Sequence, residues 1–312
     1  MPNPQLNAVY SSRSMKRRYE VWFLRCGLAD GSGAWWFRYL LMNLGRGGCS
    51  TGNMQMPVQV WATWFPRDGE PQTFIQGYPA DQLNLSEPFQ LPFHLRVAEN
   101  AIGEDSCRGH LQVDGHSISW NLRNRSNFGV TLSDKGWIGF SKSPHSDAVF
   151  SGEILLDGRR FTGEPLGFGV HGHNCGYRHR TYWRWMHDYF PQPDGSASTL
   201  EALVYDLPFG LVFRKAVLWH QQKLVFLKRF REQVIVREAN KLQWGFEATN
   251  GDTSIKALVE ATAPGIHRLP YEKTDCSGTF SVLNASLARG SLSIEDELTV
   301  ADGAAVLEMG GN

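Results

Sequence analysis

The sequence predicts an all-β protein of two antiparallel domains, each a barrel or a sandwich, on three observations. Apolar and polar residues alternate with a period of two in many short runs, Gly- and Asp-rich turns separate those runs, and no segment carries a long apolar stripe at helical spacing. The chain has 312 residues, and at roughly 150 residues per domain that length suggests two units.

The runs fall at residues 19–26, 34–42, 58–65, 91–97, 223–230, 232–237, 241–248, 254–261, 291–300 and 304–309. Within another, Ile118, Trp120 and Leu122 alternate with Ser117, Ser119, Asn121 and Arg123. Leu211, Phe213, Val217 and Trp219 share one parity, broken by Lys215. Successive side chains of a strand face opposite sides, so such runs read as half-buried strands. Turn signals punctuate them at Arg67-Asp68-Gly69, Val113-Asp114-Gly115, Leu156-Asp157-Gly158, Asn250-Gly251-Asp252 and Ala301-Asp302-Gly303.

Thr162–Gly169, rich in Gly and Pro, reads as the linker, which gives domains of 1–165 and 166–312. A weak echo supports duplication. Ile118–Leu122 resembles Leu242–Phe246, and Ala34–Arg38 resembles Tyr182–Met186, although the offsets differ.

Composition excludes several classes. Lys plus Arg equals Asp plus Glu at 31 each, so the chain lacks the basic surplus of a nucleic-acid binder. Hydrophobic residues at 42% and charged residues at 20% exclude wholesale disorder. No stretch approaches about 18 uninterrupted apolar residues, so none reads as a membrane-spanning helix. Five widely spaced cysteines (Cys26, Cys49, Cys107, Cys175, Cys276) contain no CxxC pair. They are expected to be reduced thiols. The start, Met1-Pro2-Asn3-Pro4 leading to Met15-Lys16-Arg17-Arg18, lacks a signal peptide's apolar segment and cleavage site, so a cytoplasmic location is expected.

The candidate chemistry concentrates in residues 167–188, which hold four of the ten histidines. If residues 181–187 form a strand, Trp183, Trp185 and His187 share one face, and Tyr182, Arg184 and Met186 the other. Two indoles and an imidazole on one face suit the lining of an apolar cavity. The aromatics alone also fit a small barrel filled by its own side chains. The concentration of His, Asn and Arg points to a site, because such groups are costly to bury without purpose. His171, His173 and Cys175 alternate as metal ligands do, but no carboxylate falls at a matching spacing, and Gly172 and Gly176 suggest a loop. No metal or organic cofactor is expected. Asp206, before the Pro208-Phe209-Gly210 turn, is either a carboxyl at a cavity rim with a pKa raised by burial, or a cap for its own turn. P-loop, GxGxxG, GxSxG and HExxH motifs are missing.

Taken together, Tyr19–Phe23, Trp35–Tyr39, Val60–Phe65, Gly169–Gly176 and Ala305–Gly311 resemble the carotenoid 1,2-hydratase (hydroxyneurosporene synthase) and tocopherol cyclase group. The resemblance spans nearly the whole chain but is diffuse. It implies tandem lipocalin-like antiparallel β-barrels and a hydrophobic isoprenoid or polyketide-like ligand. It also implies proton-initiated hydration or cyclisation of a carbon–carbon double bond. The group includes pericyclic cyclases and lipid carriers as well, so the alternative is a binding protein without chemistry. Carried onto this chain, the resemblance nominates Asp206 as acid, His173 as its partner, and Asn174, Trp183, Trp185 and Tyr205 around the substrate. Tyr177, His187, Trp36 and Arg38 complete the expected substrate-binding set. Where the group often reads His-Asn-Trp-Gly, this chain has His173-Asn174-Cys175-Gly176. A transient contact with a membrane surface, to collect the ligand, is also expected.

Overall fold

The computed structural model describes residues 3–49, 56–180, 182–192 and 196–311. Strand dominates, as the period of two requires, and the described helices are single 3₁₀ turns. In the first sheet β1 (Tyr19–Leu28), β2 (Gly33–Met42), β3 (Val58–Pro66) and β4 (Gln72–Tyr78) form a meander. Short strands β5 (Leu83–Leu85), β6 (His94–Val97) and β7 (Asn100–Gly103) lead to β8 (Ser106–Val113) and β9 (His116–Arg125). Then β10 (Val130–Asp134), β11 (Gly139–Leu156) and β12 (Arg159–Gly176) complete it. The last strand returns to the first, giving the order β4-β3-β2-β1-β12-β11-β9-β8-β7-β6-β5, with β10 against β11. The sheet curls on itself: Asn100 on β7 donates to the Tyr78 hydroxyl on β4 at 2.7 Å.

The second sheet repeats the plan. Its meander is β13 (Tyr182–Pro191), β14 (Ala197–Asp206), β15 (Val212–His220) and β16 (Lys223–Leu227). Next come β17 (Arg229–Arg237), β18 (Lys241–Thr249), β19 (Ser254–Thr262), β20 (His267–Glu272), β21 (Thr279–Ile294) and β22 (Glu297–Gly311). The order is β16-β15-β14-β13-β22-β21-β19-β18-β17, with β20 against β21. In both sheets the final strand closes against the first, so the duplication is one of topology. The sequence echo paired the wrong members: β9 was matched to β18, whose counterpart is β8, and β2 to β13, whose counterpart is β1.

Two further expectations are corrected. Thr162–Gly169 is not a break but lies inside β12, where Gly167 and Gly169 pair with Leu28 and Cys26; the first sheet runs to Gly176 and the second begins at Tyr182. Glycine serves close approach there, since a Cβ at Gly169 would meet the Arg25 carbonyl at 1.9 Å. The thiols are not all reduced. Cys49 and Cys276 form a disulfide that ties the loop after β2 to the loop after β20, while Cys26, Cys107 and Cys175 are buried and free.

The turns behave as read except Ala301-Asp302-Gly303, which lies inside β22; the hairpin there turns at Glu295-Asp296, within the run read as a strand over 291–300. Asp114-Gly115 and Asp157-Gly158 both take positive φ at both positions, the conformation that tight hairpins need and that glycine adopts without strain. Parity then sorts the side chains. On the first sheet, Trp22, Leu24, Trp35, Phe37 and Tyr39 fill the interior. The opposite face of β1 and β2 meets the second sheet through Phe23, Trp36, Trp185, Leu203 and Val306. This seam between the sheets holds the site. Arg25 on β1 crosses it, donating to the carbonyls of Ser286, Gly303, Ala304 and Ala305 at 2.6 to 3.3 Å. Among the described residues no helix is long and apolar enough to cross a membrane.

Candidate functional site

One end of the seam opens into a cleft of about 110 Å³. Its walls follow from register. On β1, Tyr19, Val21 and Phe23 point into the seam, opposite Gly176, Asn174 and Gly172 on β12. The two glycines are strand residues, not a loop. A Cβ at Gly172 would lie 2.1 Å from the Phe23 ring, and one at Gly176 would lie 2.8 Å from that of Tyr19, so their absence lets both rings lie across β12. From β2 come Trp36 and Arg38. From the second sheet come Trp183 and Trp185 on β13, Leu203 and Tyr205 on β14, Tyr271 on β20 and Glu308 on β22. Arg178, His179 and Arg180, between the sheets in sequence, complete the rim.

The rings set the geometry. Phe23 stacks on Trp36 at 5.3 Å, and Trp185 meets both edge-on at 5.5 and 6.0 Å. His179 lies parallel to Tyr19 at 4.0 Å. Burial, reinforced by the nearby Arg38 charge, pushes the His179 pKa down to about 3, so its imidazole is neutral at pH 7. Glu308 is 9% exposed and accepts three hydrogen bonds. They come from Trp183 Nε1 at 3.1 Å, Tyr271 Oη at 2.8 Å and Asn284 Nδ2 at 3.3 Å. Burial holds the Tyr271 hydroxyl well above its usual pKa, so it stays a donor. The Arg38 guanidinium is sandwiched between Tyr271 and Trp61, 4.1 and 4.6 Å from their ring centroids.

Among the described residues, four buried polar atoms around this cleft lack a protein partner: Trp36 Nε1, Arg38 Nη1, Asn174 Oδ1 and His179 Nδ1. A buried polar group left unpaired costs about 1–3 kcal/mol. Four of them converging on one aromatic and polar cleft mark a place where a ligand completes the bonding.

Six of the ten residues nominated from sequence line the cleft: Trp36, Arg38, Asn174, Trp183, Trp185 and Tyr205. The other four do not. His173 has the opposite parity from Asn174 and faces the interior of the first sheet. There it stacks on Trp22 at 4.5 Å, bonded to Glu20 at 2.8 Å and to the Leu6 carbonyl at 2.7 Å. Asp206 likewise alternates away from Tyr205, and its Oδ1 accepts from the Tyr182 amide at 2.9 Å. It bonds the start of the neighbouring strand β13, not its own turn, and does not line the cleft. Tyr177 is partly exposed and covers Arg17 outside the cleft. His187 shares the seam face with Trp183 and Trp185, as expected, but lies deeper, bonded to the Ser146 carbonyl at 2.6 Å. Of the residues weighed as metal ligands, Cys175 accepts from Arg18 at 3.3 Å. No group of three or more His, Cys, Asp or Glu is arranged to hold a metal ion among the described residues.

Sequence reasoning missed Glu308, Tyr271, Tyr19 and His179. Glu308 carried a usable signal, a lone carboxyl between Val306 and Gly310 at a seam-facing parity. Tyr271 carried none, because β20 pairs only at the side of β21.

No family model matches the chain, and no curated protein does. Solved structures do. Kievitone hydratase from Nectria haematococca superposes with a TM-score of 0.59 at 11% identity, covering 98% of this chain and 94% of its own. CghA with Sch210972 gives 0.63 at 10% identity, covering 95% and 88%. A protein described as AttH from Nitrosomonas europaea gives 0.55 at 10% identity, covering 94% and 92%. At these identities the likeness establishes the fold, two-sheet and all-β over nearly the full length.

Proposed function

We propose that the seam cleft is the active site of an enzyme that hydrates or cyclises a carbon–carbon double bond of a hydrophobic, isoprenoid- or polyketide-like substrate. The observation that carries this reading is a carboxyl, Glu308, held by three donors in the wall of a cleft where it meets the rings of Trp183, Trp185 and Tyr271. In this mechanism the Glu308 carboxyl passes a proton to the alkene carbon, leaving its carboxylate, and a carbocation forms. The faces of Trp183, Trp185 and Tyr271 stabilise that cation through their negative quadrupoles. In hydration, water attacks the cation and loses a proton to the carboxylate; in cyclisation, a second double bond attacks and the same carboxylate removes a proton. Either way the acid is regenerated. The shared fold with a hydratase supports this reading.

The second reading is a carrier without chemistry, and it draws on the same unpartnered atoms. Glu308→Gln separates the two, because it keeps the size and one accepting oxygen but cannot act as the acid. With the ligand first identified by native mass spectrometry, turnover should fall about 100-fold or more while affinity changes less than about threefold. Undiminished turnover removes Glu308 from the mechanism. Binding without turnover in the parent protein supports the carrier.

The rim supports collection of ligand at a membrane surface. Ile138, which lines the cleft with Arg178 and Arg180, is exposed, as are Trp137 next to it in the chain and Phe209 and Leu211 in the turn after β14. For location, the Cys49–Cys276 bridge favours an oxidising compartment over the cytoplasm that cysteine spacing suggested.

A further inference from the structure

We propose that the molecule bound in the cleft carries an acidic oxygen (a carboxylate, enolate or phenolate) seated on Arg38. The natural ligand is then an amphipathic acid, not a plain hydrocarbon. This rests on the reading that the cleft binds a hydrophobic ligand and narrows it.

Arg38 is 4% exposed, and its guanidinium reaches no hydrogen-bond acceptor among the described residues. Its contacts are the faces of Trp61 and Tyr271, and Nη1 is buried without a hydrogen bond. Glu308 borders the same Tyr271 ring, as its bond to the hydroxyl shows, yet it forms no ion pair with Arg38. Its oxygens are taken by Trp183, Tyr271 and Asn284. A buried guanidinium without an anion is a large unmet demand, since a paired charge needs both Coulombic and hydrogen-bond compensation. Its planar fork fits an oxyanion in particular.

A second donor points the same way. Trp36 lies two residues along β2 on the same face, and its Nε1 is also buried and unpartnered. The lining as a whole is positive. Arg38, Arg178 and Arg180 face one carboxyl, Glu308, among the described residues, in a chain whose formal charge is zero. Indole N–H and guanidinium N–H groups accept nothing, so the head group must be an acceptor. The aromatic walls beyond, Phe23, Trp183 and Trp185, take the apolar body.

The test is a matched pair of ligands, farnesoic acid and methyl farnesoate, which differ only in the charge of the head. Affinities are measured at pH 7.5 by intrinsic tryptophan fluorescence and by calorimetry. The acid should bind the parent protein about tenfold or more tightly than the ester, the size of a charge-assisted contact. In Arg38→Gln the ratio should fall below about threefold, with affinity for the ester unchanged. Arg38→Lys, which keeps the charge but loses the fork, should fall between, and serves if the glutamine variant does not fold. Equal binding of acid and ester overturns the proposal but leaves the hydrophobic cleft standing. Failure of both to bind overturns the cleft as a ligand site altogether. A preference for the acid that survives Arg38→Gln transfers the head group to Arg178 or Arg180 and overturns the assignment to Arg38.

Discussion

The two ends of the seam contain similar chemistry in opposite conditions. At the open end, Arg38, Asn174, Trp36 and His179 each present a buried polar atom with no protein partner. At the sealed end, Glu201 is 2% exposed and accepts from Ser143 Oγ at 2.6 Å, Trp185 Nε1 at 2.9 Å and Ser146 Oγ at 3.0 Å. His187 beside it bonds through Nε2 to the Ser146 carbonyl, although its Nδ1 is buried without a partner among the described residues. Trp185 is the wall between the two ends: its ring lines the cleft, while its N–H is anchored behind it. A polar group whose partners come from the chain contributes to the fold. One whose partners are missing lowers stability, and where several such groups line one opening, as at Arg38, Trp36, Asn174 and His179, a ligand can complete them.

Substitutions at the two ends should therefore differ in size. Glu201→Ala strands three buried donors and should cost about 3 kcal/mol in urea-induced unfolding. Arg38→Met at the open end, which removes an unpartnered charge, should stay within about 1 kcal/mol of the parent. Equal losses at both ends would erase the distinction drawn here.

Acid supplies a subtler probe. Burial, with the Arg25 charge adding to it, pushes the His187 pKa down to about 3, against about 6.5 in the unfolded chain. Above pH 6.5 the ring is neutral in both states and its contribution is complete. Below that, the unfolded chain takes up a proton that the folded chain refuses, so stability falls with pH until about 3. Burial raises the Glu201 pKa, and this works in the opposite direction, adding stability as pH falls toward the ordinary carboxylate range. The informative quantity is thus a difference. Between pH 7.5 and 5, His187→Gln should lose about 2 kcal/mol less than the parent. Identical pH profiles would mean that the sealed end admits protons.

The smallest effect is expected at Asp206, outside both ends. Its bond to the Tyr182 amide is one an asparagine oxygen also makes, so Asp206→Asn should change stability by less than about 0.5 kcal/mol and leave turnover unaffected. A collapse in turnover would return the acid to this strand end.

The strands were legible because a period of two is written in consecutive residues. Trp183, Trp185 and His187 were correctly placed on one face for the same reason. Period alone does not say which face looks at which neighbour. His173 and Asn174 are adjacent, both polar, and face opposite compartments, and nothing within the segment distinguishes them. The cleft exists only once two sheets pack, so it draws on Tyr19, Tyr271 and Glu308, which are far apart in the chain. The disulfide has the same character: Cys49 and Cys276 lie 227 residues apart, and spacing rules are silent at that range. Glu308 was within reach, as a charge at a parity otherwise held by Val306 and Gly310.

Arg25 sets how the cleft can exchange its contents. Its guanidinium belongs to the first sheet and is spent on four carbonyls of the second, so parting the sheets would strand a charge and four acceptors at once. The two halves therefore cannot breathe like a hinged clam. Traffic is left to the rim, where Trp137, Ile138 and Arg178 to Arg180 sit on short turns. Side-chain and loop motions there run on nanosecond to microsecond scales, far faster than movements of whole sheets. The residence time of a ligand would then reflect its grip on the walls, with little contribution from a gate.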